Sequence, residues 1–150
     1  MTKLLQMALV SAGLLQAEDP RLVIDSGGHT ATVKSVVFTK DGKYLVSAGD
    51  DKVVRVWDLS KYKPTVSFKG HADLVSSVVF LDDGKILVSA SEDGVVKFWD
   101  VAAEKELVSF SAHKAAVTSL AFSSAAKTLA TGSTDGSIKL WNVEAFLGKK

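Results

Sequence analysis

Three sets of side chains in this sequence contain the groups that build a nucleophilic catalytic site: a histidine, a hydroxyl and a carboxylate. Each set also contains a tryptophan. A serine hydroxyl next to an imidazole that a carboxylate orients could attack an acyl group. The sets are His29, Ser47, Asp51 and Trp57; His71, Ser89, Asp93 and Trp99; and His113, Thr131, Asp135 and Trp141.

The repetition of the sets argues against catalysis. An active site is needed once, whereas these residues recur every 42 positions without insertion or deletion. The hydroxyl is Ser twice and Thr once, which favours hydrogen bonding over nucleophilic attack. A metal site would need imidazoles from different repeats, and no P-loop, dinucleotide-binding glycine pattern or HExxH motif is present. We therefore expect no enzymatic activity, no cofactor and no metal.

The segments around these sets have the pattern of β-strands. Apolar and polar residues alternate, and pairs such as Asp41-Gly42 and Asp83-Gly84 are typical of tight hairpins. Each 42-residue unit is predicted to contain an outer strand, a loop with the histidine, and three strands that end at the tryptophan. The outer strands are expected at Leu22 to Asp25, Thr65 to Phe68 and Leu107 to Phe110.

The units resemble WD repeats. The resemblance rests on Gly28-His29 to Trp57-Asp58, Gly70-His71 to Trp99-Asp100, and Ala112-His113 to Trp141-Asn142, in repeats at about 21–58, 63–100 and 105–142. It implies an all-β fold of β-propeller blades, here three four-stranded antiparallel blades. The third unit departs from the pattern at Ala112 and Asn142, and Ala125-Ala126 replaces its Asp-Gly turn, so we expect a looser hairpin there.

The resemblance also assigns roles to the repeated residues. In each WD repeat the four side chains would form a buried hydrogen-bonded chain from Asp through His and the hydroxyl to the indole N–H. Family members are rigid, non-enzymatic scaffolds that bind proteins at the surface where the histidine loops and the turns before the Asp converge. The corresponding residues form the candidate partner surface: Thr32, Lys34 and Asp50; Leu74, Ser76 and Glu92; and Ala116, Thr118 and Thr134.

Three blades are too few for a closed propeller, which has four to eight. By the resemblance, each blade takes its outer strand from the following repeat. The blade that ends at Trp141 would then depend on Val143 to Leu147 for a fourth strand, and the strand at Leu22 to Asp25 would have no blade of its own. The fold is thus expected to be incomplete as a monomer, and to be completed by a second copy in a homo-oligomer or by repeats missing from a truncated product.

The N-terminal segment and the composition limit location and partners. Residues 1–17 resemble a secretory signal peptide, which favours export to the periplasm or outside the cell; the alternative is a terminal helix on residues 18–150 of a cytoplasmic protein. The 18 Lys and Arg and 17 Asp and Glu are interspersed, so no nucleic acid partner is expected. No apolar run reaches the roughly 18 residues that span a bilayer. The absence of Cys excludes thiol chemistry and disulfides.

Overall fold

The computed structural model describes residues 28–61, 63–81 and 84–148. This part of the chain contains short strands followed by one short helix. In chain order they are β1 (Val33–Phe38), β2 (Tyr44–Gly49), β3 (Val53–Asp58), β4 (Lys63–Lys69), β5 (Val75–Phe80), β6 (Ile86–Ser91), β7 (Val95–Asp100), β8 (Lys105–Ser111), β9 (Val117–Ser123), β10 (Thr128–Ser133), β11 (Ile138–Asn142) and α1 (Val143–Leu147).

The strands form three antiparallel sheets, numbered here as blades 1 to 3. Blade 1 has the order β1-β2-β3-β4, blade 2 the order β5-β6-β7-β8, and blade 3 the order β9-β10-β11. Strands β4 and β8 contain the outer strands expected near residues 65–68 and 107–110, and each pairs with the strand that ends at the preceding tryptophan. The predicted all-β architecture of WD-type blades is confirmed.

Alternation along each strand separates the two faces of a blade. In β2, Val46 and Ala48 are fully buried on one face, and Val46 lies opposite Val56 of β3. The Ser47 hydroxyl belongs to the other face, since successive side chains of a strand point to opposite sides. Both faces of a blade carry apolar side chains, and the face with the hydroxyl also carries the Trp of the polar set, as Leu87 and Trp99 of blade 2 show.

The β9–β10 hairpin forms without an Asp-Gly turn. In the hairpins of blades 1 and 2 the left-handed position is held by Gly42 at φ 68° and Gly84 at φ 73°. In blade 3 the positive φ moves one residue onward to Lys127, at φ 49°. The Ser123 hydroxyl accepts a hydrogen bond from the Ala126 N–H at 3.3 Å. The departure seen in the sequence thus changes the turn and leaves the strand pairing intact.

Consecutive blades stack face to face. We define the leading face of a blade as the face toward the next repeat and the trailing face as the opposite one. One core joins the leading face of blade 1 to the trailing face of blade 2: Val46, Ala48, Val54, Val56 and Phe68 with Val75, Val78, Leu87 and Trp99. A second core joins blades 2 and 3 in the same way: Val88, Ala90, Val96, Phe98 and Ala112 with Val117 and Leu129.

Hydrogen bonds between blades repeat with the same 42-residue period. The Ser35 hydroxyl accepts from the Val78 N–H, and the Ser77 hydroxyl accepts from the Leu120 N–H, both at 3.2 Å. Each bond links the first strand of one blade to the first strand of the next. Apolar packing and this polar contact together fix how neighbouring blades are placed.

The segment after Trp141 is helix rather than strand, which corrects the expectation that Val143 to Leu147 could supply a fourth strand. Asn142 caps the helix, because its side chain accepts a hydrogen bond from the Glu144 N–H at 2.9 Å. Phe146 stacks on Phe110 with ring centroids 4.6 Å apart and lies 5.7 Å from Phe98. The helix therefore packs back on blade 2, and within the described residues blade 3 has three strands.

Two expectations concern residues outside the described part of the chain. These are the signal peptide or terminal helix at residues 1–17 and the strand at Leu22 to Asp25. Among the described residues, no helix has the length and apolar character needed to cross a membrane.

Candidate functional site

In blade 1 the four repeated side chains form a continuous hydrogen-bonded chain. His29 Nδ1 lies 2.8 Å from Asp51 Oδ1, and its Nε2 lies 2.6 Å from the Ser47 hydroxyl. That hydroxyl accepts from the Trp57 indole N–H at 2.7 Å. The pattern fits a tautomer in which Nδ1 carries the proton, so that the serine O–H donates to Nε2.

Arg55 adds a charge to this chain that the sequence reasoning missed. Its Nη1 lies 2.7 Å from Asp51 Oδ2 and 3.0 Å from His29 Nδ1. Burial raises the pKa of Asp51, but hydrogen bonds from His29 and Arg55 outweigh it and lower that pKa below its usual value. The basic residue two positions before each tryptophan, Lys97 and Lys139 in the other repeats, was the available signal.

In blade 2 the chain is broken between histidine and aspartate. His71 Nε2 lies 2.7 Å from the Ser89 hydroxyl, which accepts from the Trp99 N–H at 2.8 Å. His71 Nδ1 is 3.9 Å from Asp93 Oδ2 and is buried without a hydrogen-bond partner. Burial lowers the pKa of His71 to about 4, so this imidazole is neutral at physiological pH.

In blade 3 a serine stands between histidine and aspartate. His113 Nε2 lies 2.7 Å from the Thr131 hydroxyl, and the Trp141 N–H donates to that oxygen at 3.0 Å. Ser137 Oγ lies 3.1 Å from His113 Nδ1 and donates to Asp135 Oδ1 at 2.5 Å. The hydrogen bonds from Ser137 lower the pKa of Asp135 to about 2. Ser137 was not singled out from the sequence, because neither other repeat has a hydroxyl there.

The blade architecture positions these side chains. The hydroxyls lie on the middle strands β2, β6 and β10, and the tryptophans lie on the adjacent β3, β7 and β11. The aspartates occupy the turns between those two strands, where Asp51, Asp93 and Asp135 each accept a hydrogen bond from the backbone N–H two residues later. His71 and His113 follow the outer strands β4 and β8 on the next loop, and His29 lies on the loop before β1. A network of this kind joins three elements of one blade.

The hydroxyls of the three sets are buried and already hydrogen-bonded. Ser89 and Thr131 are fully buried, and Ser47 is nearly so. Each oxygen also has two near neighbours, an imidazole nitrogen and an indole N–H. A nucleophile must reach a substrate atom at about 3 Å. Within the part of the chain that the structure describes, no three His, Asp or Glu side chains are grouped closely enough to hold a metal ion.

The candidate partner surface consists of three equivalent clusters, one per blade. In each, the backbone N–H of the third residue donates to the carbonyl of the first: Asp50 to Thr32 at 2.9 Å, Glu92 to Leu74 at 3.1 Å, and Thr134 to Ala116 at 3.0 Å. The structure therefore brings together the first and third residues that the sequence grouped in each repeat.

The side chains of this surface differ in their solvent exposure and in their contacts. Lys34 is exposed and lies 3.6 Å from Asp50, while Glu92, Thr118 and Thr134 are exposed. The Ser76 hydroxyl instead donates to the carbonyls of Ala90, at 3.1 Å, and of Val117 in the next blade. Leu74 and Ala116 are half-buried. The surface thus offers charged and polar groups of both signs, while Ser76 is engaged in contacts within and between blades.

The repeats of this chain are similar to those of known proteins. A family model described as WD domain, G-beta repeat matches residues 21–58, 62–100 and 104–142. The nuclear distribution protein PAC1-1 of Uncinocarpus reesii is 56% identical over 34 residues, which is 23% of this chain and 8% of that protein. The nuclear distribution protein nudF of Emericella nidulans is 49% identical over 41 residues, which is 27% of this chain and 9% of that protein. The chain matches less than a tenth of the length of these relatives.

Proposed function

Because the chain belongs to the WD domain, G-beta repeat family, we propose that it is a non-enzymatic scaffold that binds other proteins. The observation that carries this proposal is that in all three blades the hydroxyl is hydrogen-bonded to both the histidine and the tryptophan of its set, inside the blade. These groups hold strands and loops together, so the surface above them is a rigid platform. The segments that match the two relatives are 34 and 41 residues long, about the length of one repeat. These matches therefore support the assignment of WD-type repeats.

The partner contacts are proposed for the candidate partner surface. Its three clusters are anchored by the same backbone hydrogen bond in every blade, which limits the entropy lost when a partner binds. Lys34, Asp50 and Glu92 supply charge, and Thr118 and Thr134 supply hydroxyls. A protein surface with hydrogen-bonding groups and both signs of charge would complement this platform.

The propeller is proposed to be completed by further blades. Three blades leave two apolar end faces, and closed propellers contain four to eight blades. A second copy in a homo-oligomer would supply the missing blades, and its first strand, predicted at Leu22 to Asp25, would pair with β11. The alternative is that the chain is a truncated fragment of a longer exported protein of this family, whose function lies in absent domains.

We also propose a location and a class of partner from the sequence. Export is favoured by residues 1–17, and a cytoplasmic scaffold is the alternative. The formal net charge of +1, with both signs interspersed, favours a protein partner over a nucleic acid. Mass spectrometry of the mature N-terminus distinguishes the two locations, because export predicts a chain that begins after Ala17.

Partner capture with variant baits tests the proposed surface. The bait pair is the wild-type chain and the double variant Lys34→Glu, Glu92→Lys, which reverses two charges on the candidate partner surface. Lys43→Glu is the matched control, since Lys43 is exposed on the β1–β2 hairpin, at the opposite end of those strands. We expect a protein to be captured by wild type and control and to be lost with the double variant. Equal capture by all three would refute the assignment of the surface.

A second experiment tests the absence of catalysis. A fluorophosphonate probe, which labels activated serines, should leave the native chain unlabelled because Ser47 and Ser89 are buried. Labelling that is lost in Ser47→Ala and kept in Ser89→Ala would instead identify a single nucleophile and contradict the proposal.

A further inference from the structure

The two end faces of the three-blade stack expose large apolar side chains. On the leading face of blade 3, Ile138 is 77% exposed and Leu140 is 70% exposed. On the trailing face of blade 1, Val36 is 59% exposed and Phe38 is 62% exposed. Helix α1 does not cover the first of these faces, because it packs on blade 2. Contiguous exposed apolar side chains of this size mark an interaction surface.

The interior of the stack shows what covers such faces. The residues equivalent to Ile138 are Val54 and Val96, and both are fully buried by the trailing face of the next blade. The residue equivalent to Val36 in blade 2 is Val78, which is 6% exposed because the leading face of blade 1 packs against it. Each exposed end face is thus one half of an interface that the chain already forms twice.

We propose that the leading face of blade 3 docks on the trailing face of blade 1 of a second copy of this chain, in the same arrangement as the two interfaces inside the chain. The inference rests on the proposed function, in that it takes the three blades as part of a propeller. It adds the occupant of each end face and the residues that meet there. Ile138 and Leu140 of one copy would lie against Val36 and Phe38 of the other.

A hydrogen bond supports the same head-to-tail arrangement. Inside the chain, Ser35 and Ser77 each accept from the backbone N–H of the residue 43 positions later, in the next blade. Ser119 is the equivalent residue of blade 3, and it is exposed. The equivalent donor on the trailing face of blade 1 is the Val36 N–H. Docking would join this hydroxyl to this N–H and repeat the polar contact as well as the apolar one.

The proposed arrangement has two copies. With the three described blades from each, two copies would give six blades, which lies within the four to eight of closed propellers. A ring of two copies contains the new interface twice and buries all four end faces. A head-to-tail contact that did not close would instead extend into a filament.

Light scattering coupled to size exclusion tests the proposal on the full chain. Leu140→Asp places a charge on one end face and Phe38→Asp places a charge on the other. Leu107→Asp is the matched control, because Leu107 is an exposed apolar residue of β8, outside both end faces. We expect wild type and control at twice the 15.9 kDa chain mass and each end-face variant at one chain mass.

Mixing the two end-face variants distinguishes the head-to-tail arrangement from other dimers. In the Phe38→Asp chain the leading face of blade 3 is unchanged, and in the Leu140→Asp chain the trailing face of blade 1 is unchanged. A mixed pair can therefore form one intact interface between these two faces. Mixing should therefore restore a species at twice the chain mass, and this recovery also shows that both variants are folded. A wild-type sample at one chain mass or polydisperse, or a mixture that stays at one chain mass, overturns the proposal. Failure of partner capture at unchanged mass would refute the proposed function alone.

Discussion

Phe98 and Leu140 occupy equivalent positions on the leading faces of consecutive blades, yet Phe98 is fully buried and Leu140 is 70% exposed. The local sequence is equally apolar at both, so the difference comes from what lies beyond each blade. Blade 3 and Phe146 cover Phe98, and no described residue of the chain covers Leu140 to the same degree. Within the described residues, the leading face of blade 3 is therefore exposed where the equivalent face of blade 2 is covered.

Removal of the Thr131 hydroxyl should lower the free energy of unfolding more than removal of the Thr131 methyl group. Thr131→Val keeps the shape of the side chain but leaves the Trp141 N–H and His113 Nε2 without their shared partner, so we expect a loss of about 1–3 kcal/mol in the free energy of unfolding. Thr131→Ser keeps the hydroxyl and should cost about 1 kcal/mol. Urea denaturation of both variants is the measurement, and equal losses would contradict the role of the hydroxyl.

Two equivalent glycines should respond differently to alanine. Gly94, at φ 82°, and Gly136, at φ 80°, occupy the same turn in blades 2 and 3. A Cβ at Gly94 would lie 2.3 Å from the His113 carbonyl oxygen, whereas a Cβ at Gly136 would meet nothing within 4 Å. Gly136→Ala should therefore cost about 1–2 kcal/mol, the price of the left-handed backbone. Gly94→Ala should cost clearly more by thermal denaturation, and a smaller or equal loss would contradict the clash.

Helix α1 should stabilise blade 2 through one aromatic side chain. Phe146 stacks on Phe110 and also contacts Phe98 and Trp141. Because Phe146 is half-buried, Phe146→Ala should lower the free energy of unfolding by about 1–3 kcal/mol, less than for a fully buried Phe. Ala145→Ser, at an exposed position of the same helix, is the control and should change stability by less than about 0.5 kcal/mol. Equal effects would show that the packing of Phe146 contributes nothing.

The buried histidine of blade 2 should make stability depend on pH. Burial lowers the pKa of His71 from 6.5 to about 4, so the unfolded chain binds more protons between these values than the folded chain does. The free energy of unfolding should then rise with pH across this window, and the contribution should be complete above pH 6.5 and lost as pH falls toward 4. At about 1.4 kcal/mol per unit, up to about 3 kcal/mol is involved.

A substitution isolates the part of this dependence that belongs to His71. The groups whose charges act on it are Asp93, Lys97 and Glu106, all of which remain in His71→Gln. Denaturation of wild type and variant at several values between pH 4 and 6.5 should show a steeper slope for wild type. Parallel curves would mean that His71 is not the titrating group.

The sequence was sufficient to predict the all-β fold and the outer strands near residues 65–68 and 107–110. The constant spacing of His29, His71 and His113 marks three equivalent units, and alternation within each unit specifies which residues face the core. These features are local or periodic. They recur in every blade because equivalent positions of the repeats carry similar residues and pack in the same way.

The sequence was insufficient where one repeat differs from the others. After Asn142 the chain forms a helix that packs through Phe146, whereas the equivalent segments after Asp58 and Asp100 lead into the strands β4 and β8. Ser137 enters the network of blade 3, and Arg55 enters that of blade 1, through distances that depend on the folded backbone. Such contacts follow from the relative position of strands and turns, which periodicity does not specify.

An engineered cross-link tests the docking of two copies most directly, because the chain contains no cysteine. The Ser35→Cys, Val78→Cys variant is the internal reference, since the Ser35 hydroxyl and the Val78 N–H are 3.2 Å apart inside one chain; its disulfide should leave the mass at 15.9 kDa. The Ser119→Cys, Val36→Cys variant places the same pair across the proposed interface. Under oxidising, non-reducing conditions we predict a covalent species at twice the chain mass. A reference variant that cross-links while the interface variant stays at one chain mass would contradict the account.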